Sequence, residues 1–438
     1  MAPRPADAHD DAENAASAEL VAPFLPAGAV IDRESIEGWA RWRLMRHSFV
    51  PAPRLSLAEF RAMSPRKRHL HELHRLATHA NLAVQETPMS AMVSRLMAAR
   101  IRSNALKHKP TTRAGLMING GGYQGKTETV CETAATFEDQ WLELHHQLNP
   151  EALPGTRDLH APVAYVQTPV TATPKSTCAA VLDFYGESYR GMTLPQLVRT
   201  VKSALHDHGT KVLILDDITR LKMHREADQD VLDLIRSLMS MSVTLILVGV
   251  GIPQSGLLRE ARYDPRVGQW VFGQATGRSA HVNEAAATQT ERRFDLIELG
   301  PFRYDTGPEI DAWINHLAGI EEQLRLLRSE PGMLSTGQMP EYLFRRTGGI
   351  VGLLERLIED GCGEAIDTGT ERLTVSVLDG VAISLDNLPQ RDPAAGEVPV
   401  VPGAAASSPP KSGNARPARR PRNTVFDDPG AAPDAASP

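Results

Sequence analysis

The 438-residue chain has little cysteine, no long apolar run and, over one long stretch, almost no acid. The cysteines number three, Cys131, Cys178 and Cys362. They lie far apart without a CxxC pair, which excludes a disulfide framework and a zinc knuckle and fits a reducing compartment. No run of about 18 apolar residues occurs, so no transmembrane helix is expected. The opening MAPRPADAHDDAENAA lacks a basic-then-apolar leader pattern, and the expected location is cytoplasmic. The chain shows no internal repeat. Between Trp39 and Arg113 only Glu59, Glu72 and Glu86 are acidic, against fifteen lysines and arginines. That is a local +12 in a chain of net charge −6. Such a block fits a polyanionic partner, or a helical face that pairs with acids elsewhere in the chain.

Composition and periodicity divide the chain into five parts. Residues 1–30 are rich in Ala, Asp and Pro, lack periodicity and read as a disordered tail. Residues 31–110 form the basic helical segment. Residues 111–304 alternate apolar strand-like runs with helical patterns. Residues 305–387 carry helical patterns only and read as a small helical domain. Residues 388–438 are a Pro/Ala-rich disordered tail with one arginine cluster. The strand candidates are Ala114 to Ile118, Pro162 to Gln167, Val212 to Asp216, Val243 to Gly249 and Phe294 to Leu299. Their unbroken apolar character is that of parallel strands buried on both faces, so the expected fold class is α/β, a parallel sheet with helices on both faces.

The first strand runs into GGGYQGKT. Gly120-x-x-x-x-Gly125-Lys126-Thr127 fits the phosphate-binding loop at every fixed position, with a strand before it and a helix after it. Glycines let successive N–H groups turn inward onto an anion, and the helix adds its positive end. Lys126 is placed to reach the β and γ phosphates, and the Thr127 hydroxyl to join a Mg²⁺ shell. A second strand, KVLILDD, ends in two aspartates. Asp216 is the candidate for holding the metal's water shell and Asp217 for orienting an attacking water. A further strand, VTLILVGVG, follows one helix later. Insertion of such a strand between the two motif strands marks the hydrolytic, multi-subunit class rather than simple nucleotide kinases.

Other residues read more plainly. Trp39 and Trp42 suit a buried amphipathic helix better than base stacking. His71 and His74 sit one helical turn apart, as metal ligands would, but without a further ligand nearby they read as solvated histidines. Cys131, on the helix after the loop, reads as a small buried residue.

Taken together, GGGYQGKT, VLILDDI, LILVGVG, TERRFDLIELGPF and TGGIVGLLERLI resemble the AAA+ P-loop ATPases, and best the transposition regulators of the TniB and TnsC kind. The basic segment from Ser64 on is similar to the helices that precede the nucleotide domain in that family. The resemblance implies ATP and Mg²⁺ as cofactors, with Gly120, Gly121, Gly122, Tyr123, Gln124, Gly125, Lys126, Thr127 and Glu128 binding nucleotide. Thr127 and Asp216 would hold the metal. Lys126, Asp217 and Arg293 would be catalytic, Arg293 as a finger into a neighbouring subunit's site. The implied function is an ATPase that assembles as a ring or filament on double-stranded DNA and recruits a DDE transposase. The alternatives are an ATPase that recognises a protein partner, and a non-hydrolysing scaffold. Three positions depart from the family pattern. Ile252-Pro253 follow VGVG where a polar residue is expected, with Gln254 or Ser255 as substitutes. Asp217 replaces a glutamate, and Gly352 stands where many relatives carry an arginine sensor in a C-terminal helical lid.

Overall fold

The structure, a computed structural model, describes residues 24, 32–151, 160–170, 172–221, 229–255, 261–264, 269–272 and 292–383. The segments read as tails, 1–30 and 388–438, lie outside the described residues apart from Phe24.

Five strands form one parallel sheet: β1 (Gly115–Asn119), β2 (Val163–Gln167), β3 (Val212–Asp216), β4 (Thr244–Gly249) and β7 (Phe294–Glu298). Their order is β2-β3-β4-β1-β7, so β4 lies between the glycine-loop strand and the acidic strand, as expected. Register aligns Asn119 with both Gly249 and Glu298, and Gln167 with Asp216. In β1, β2 and β3 an apolar run ends in one polar residue, Asn119, Gln167 or Asp216, and β7 ends in Glu298. The strands bury their apolar residues along their length and present a polar row at the C-terminal edge. That edge is where open parallel sheets bind ligands.

Among the described residues, four helices precede the sheet: α1 (Ile36–Met45), α2 (Leu57–Ala62), α3 (Pro65–Ala80) and α4 (Pro88–Ala105). Around the sheet run α5 (Lys126–Leu148), α6 (Pro174–Phe184), α7 (Leu194–Asp207) and α8 (Gln229–Met239). The last group is α9 (Gly307–Gln323), α10 (Met339–Thr347), α11 (Val351–Asp367) and α12 (Val375–Asp379). Several helix starts share one local code. Ser64-Pro65, Thr87-Pro88 and Thr173-Pro174 each place a hydroxyl at the N-cap and proline in the first turn. The side chain satisfies an orphan amide, and proline lacks the N–H that would otherwise need a partner. Helix α6 went unread in the sequence although Thr173-Pro174 announces it.

The core sets Leu116–Ile118, Val212–Leu215 and Leu245–Val248 against Val93, Met97 and Ile101 of α4 and Val130 and Ala134 of α5. The C-terminal helices gather around Trp313, Leu343, Phe344, Leu354, Leu357 and Ile358, all buried, and Trp313 Nε1 donates to the Pro340 carbonyl at 2.9 Å. The stretch between β4 and β7 contains a two-stranded antiparallel ribbon, β5 (Ala261–Asp264) with β6 (Gln269–Phe272). The rest of that stretch lies outside the described residues.

The basic segment is tied to both halves of the protein. Helix α1 docks on α5: Trp39 is buried, and its Nε1 donates to Glu138 Oε2 at 2.7 Å. Arg43 pairs with Glu138 and Asp139, and Arg46 with Glu132 and Asp139. Helix α3 packs on α11. There Arg75, wholly buried, meets Glu371 with Nη1 and Nη2 at 2.6 and 3.1 Å. Arg100 pairs with Asp295 of β7. Part of the +12 is therefore spent inside the fold, while Arg41, Arg61, Arg66, Arg95, Arg102 and Lys109 are exposed.

The histidine reading needs correction. His71 and His74 are buried, not solvated. Their Nε2 atoms meet the Pro53 and Val50 carbonyls at 3.1 and 2.9 Å and tie the segment before α2 onto α3. A carbonyl partner calls for a ring N–H there, so neither Nε2 is free to bind a metal. Helical spacing gave no sign that this face was covered.

Candidate nucleotide site

The glycine loop leaves β1 at the C-terminal edge of the sheet and enters α5. Gly125 caps that helix with φ +75°, a left-handed conformation that glycine adopts without steric cost. Gln124 Oε1 accepts from the Gly121 N–H at 2.6 Å and braces the loop from within. Lys126 folds back onto it, Nζ donating to the Gly121 carbonyl at 2.5 Å. Burial lowers the Lys126 ammonium from its ordinary value, and Asp216, Asp217 and Glu298 oppose that shift. Lys126 is thus the cation of a pocket edged by acids.

Across from the loop, Asp216 is buried and held by three donors. Thr127 Oγ1 donates to Oδ2 at 2.6 Å, Tyr165 OH donates to Oδ2 at 2.9 Å, and the Asp217 N–H donates to Oδ1 at 2.8 Å. The motif residues Thr127 and Asp216, 89 positions apart, therefore meet directly. A hydroxyl beside a carboxylate is a hard-oxygen donor set of the kind that suits Mg²⁺. Asp217 occupies a left-handed conformation, φ 52°, so its side chain diverges from that of Asp216. Arg220 Nη2 pairs with Asp217 Oδ2 at 2.8 Å, and Gln167 Nε2 lies 3.4 Å from the same oxygen. The Arg220 guanidinium also donates to the Thr168 carbonyl at 2.8 Å.

The remaining edge residues complete the floor. Asn119 Nδ2 donates to Glu298 at 2.6 Å, and its Oδ1 accepts from the Ile252 N–H at 2.9 Å. One side chain thereby joins β1 to β7 and to the turn that follows β4. Glu128 faces outward from the first turn of α5 and pairs with Arg33 at 2.6 Å. Arg33 in turn lies over the Trp42 ring, 4.2 Å from its centroid.

Helix α11 touches the loop itself. Gly352 N–H, in the first turn of α11, donates to the Tyr123 carbonyl at 2.9 Å. A Cβ on Gly352 would stand 2.8 Å from that carbonyl oxygen. Glycine is required there by the closeness of two backbones, which explains why no arginine occupies the position. Tyr123 is itself left-handed, φ 59°. With Asp217 it is one of two non-glycine residues in that region on this edge, and such conformations persist where the surroundings impose them.

Arg293 is elsewhere. Its carbonyl accepts from the Gly115 N–H at 2.9 Å, which fixes it at the N-terminal edge of the sheet. The length of β1 separates that edge from the loop, about 16 Å at roughly 3.3 Å per residue. Arg293 does not join Lys126, Thr127 and Asp216 within one chain.

Sequence reading missed Tyr165, Gln167, Arg220 and Asn119. Asn119 and Gln167 sit where an apolar strand turns polar, a signal that becomes specific only once the register is known, and Tyr165 lies within the apolar run of β2. Arg220 had no such mark.

Residues 97–266 match the family described as bacterial TniB protein. That stretch is similar to the TniB family. The matched TniB region begins in α4 and takes in β1 to β4, the loop and both aspartates. No curated protein matches the chain. Similar solved structures include a DNA complex of the Aeropyrum pernix Orc1 protein, with 12% identity over 69% of this chain and 67% of that one and a TM-score of 0.46. Cdc6p from Pyrobaculum aerophilum shows 12% identity over 68% and 72%, with a TM-score of 0.40. AMPPCP-bound DnaA from Aquifex aeolicus shows 14% identity over 64% and 62%, with a TM-score of 0.34. The fold assignment rests on the strand order and the glycine loop of this chain itself.

Proposed function

We propose that this protein is an ATPase that binds ATP with Mg²⁺ at the glycine loop and assembles on double-stranded DNA to regulate transposition. The observation that carries the nucleotide reading is the direct meeting of Thr127 and Asp216 beneath a loop whose lysine is half-buried among acids. In this reading residues 111–304 are the nucleotide-binding domain and 305–387 the lid. The loop amides from Gly120 to Gly125, with Lys126, hold the phosphates, and Glu128 lines the entry to the helix. Thr127 and Asp216 hold the metal. Bound Mg²⁺ neutralises charge on the β and γ phosphates. Asp217 orients the water once its oxygen is released from Arg220. Arg293 serves a neighbour's site, because its place on the opposite edge denies it its own.

The exposed arginines of the basic segment supply sequence-tolerant phosphate contacts. The match to the TniB family supports the link to transposition, and recruitment of a DDE transposase is the partner role we assign. A second reading, a scaffold that binds ATP without turning it over, has one observation in its favour, the engagement of Asp217 by Arg220.

Subunit mixing tests the first reading. Lys126→Ala loses its own phosphate site but keeps the finger, whereas Arg293→Ala keeps the site and lacks the finger. Each variant alone is expected to lose at least about 10²–10³-fold in ATP turnover, and a mixture to regain a measurable fraction. Wild-type protein that binds ATP and never hydrolyses it establishes the scaffold reading instead. A mixture no more active than its parts removes Arg293 from the site.

A further inference from the structure

Asp216 has an unusual second tether. In β2, the run Val163-Ala164-Tyr165-Val166-Gln167 is apolar except at Tyr165 and its last residue. Tyr165 is buried, pairs in register with Ile214 of β3, and sends its hydroxyl to Asp216 Oδ2, the oxygen that also accepts from Thr127. Behind it, the Trp39 ring of α1 lies nearly parallel, with centroids 6.3 Å apart and planes 14° apart. Trp39 is in turn fixed by Glu138. A continuous series of contacts therefore runs from the N-terminal helix through Trp39 and Tyr165 to the aspartate facing Thr127.

We propose that Tyr165 is a positioning residue for the metal site: its hydroxyl locks the Asp216 carboxylate in the rotamer that receives Mg²⁺, and α1 backs it through Trp39. The inference rests on the nucleotide reading above and goes beyond it. A buried carboxylate needs hydrogen-bond donors to remain ionised, and a short aspartate otherwise rotates about its last torsion. Thr127 is an imperfect lock because the same hydroxyl oxygen is called on as a metal ligand. The Asp217 amide holds only Oδ1. Tyr165 is the donor to Oδ2 with no such second duty.

The test is Mn²⁺ binding, followed by electron paramagnetic resonance, to the full-length protein with ATP bound. It is paired with ATP binding in the presence of a chelator. Tyr165→Phe removes one oxygen from an otherwise unchanged ring. Tyr185→Phe is the control: that tyrosine is also buried, but its hydroxyl meets Thr210 at 2.7 Å, far from Asp216. The expected result is a roughly 3- to 10-fold weaker Mn²⁺ affinity in Tyr165→Phe, on the scale of one lost hydrogen bond. Metal-free ATP affinity should stay at the wild-type value, and Tyr185→Phe should bind Mn²⁺ as wild type does. Unchanged Mn²⁺ affinity in Tyr165→Phe overturns the proposal and leaves the nucleotide reading intact. Equal weakening in both variants overturns it too, as a general packing effect. Wild-type protein that binds ATP neither alone nor with Mn²⁺ defeats the nucleotide reading itself.

Discussion

At the scale of single residues, the aspartate pair is divided by one backbone conformation. Asp216 ends β3 in extended geometry and turns into the sheet edge toward Thr127, while Asp217, at φ 52°, turns toward Arg220. Adjacent carboxylates in one sequence motif thus have separate partners. Replacing Arg220 by alanine frees Asp217 Oδ2, and steady-state ATP turnover should rise by roughly 2- to 10-fold if release of that oxygen limits hydrolysis. A fall in turnover would mean that Arg220 orients Asp217 for its task. Gly352 allows a sharper test. Alanine in a helix normally stabilises relative to glycine by about 1 kcal/mol. Here its Cβ would meet the Tyr123 carbonyl at 2.8 Å, so Gly352→Ala should instead destabilise by about 1–3 kcal/mol in chemical denaturation. A stabilised variant would show that α11 does not press on the loop. The sequence marked Gly352 only as a missing arginine. The reason, a backbone contact across 229 positions of chain, is not written in any local pattern.

At the scale of elements, the strands were legible almost to the residue because apolar runs bounded by polar ones have few alternative readings. The glycine loop, flanked by strand and helix, was legible for the same reason. The N-terminal helices were legible as basic and helical but not as packed. Their buried polar groups, His71, His74, Arg75 and His79, look like surface in sequence; His71 and His74 are met by carbonyls 18 and 24 positions away, and Arg75 and His79 by groups 296 and 246 positions away. Those contacts have measurable consequences. Removing either member of the Arg75–Glu371 pair leaves a buried charge without its partner, at a cost of about 3–5 kcal/mol. His79 accepts from the Arg325 N–H at 2.9 Å; burial first, then Arg75 and Arg325, pull it down to about 4. Burial alone brings His316 to about 4. Each stays neutral when folded and takes a proton more readily when unfolded, so the stability it contributes is present above its ordinary value of 6.5 and is lost as pH falls toward 4. Between pH 7 and pH 5 the protein should lose about 2 kcal/mol per histidine in urea denaturation, and His79→Gln should flatten that slope. A variant with the wild-type pH dependence would contradict a buried, neutral His79.

At the scale of the whole molecule, the N-terminal segment is both the candidate DNA-facing surface and a structural link between the sheet and the C-terminal helices. Arg43 and Arg46 fasten it to α5, Arg75 fastens it to Glu371, and Arg41, Arg61, Arg66, Arg95 and Arg102 remain at the surface. A partner bound to those exposed arginines would load the same helices that brace Asp216 through Trp39 and close on α11 through α3. That gives a physical route by which nucleotide and DNA could bias one another's binding, and any such coupling must act in both directions. Among the described residues no helix is long and apolar enough to cross a membrane. The most direct measurement is binding of the full-length protein to a labelled DNA duplex of arbitrary sequence, with ATP and Mg²⁺, with ADP, and without nucleotide, across a salt series, beside Lys126→Ala. The account predicts binding that requires ATP, is lost in Lys126→Ala, and weakens by roughly 10³-fold or more as salt rises from about 50 to 200 mM. Intact ATP binding with no DNA binding under any of these conditions would contradict it.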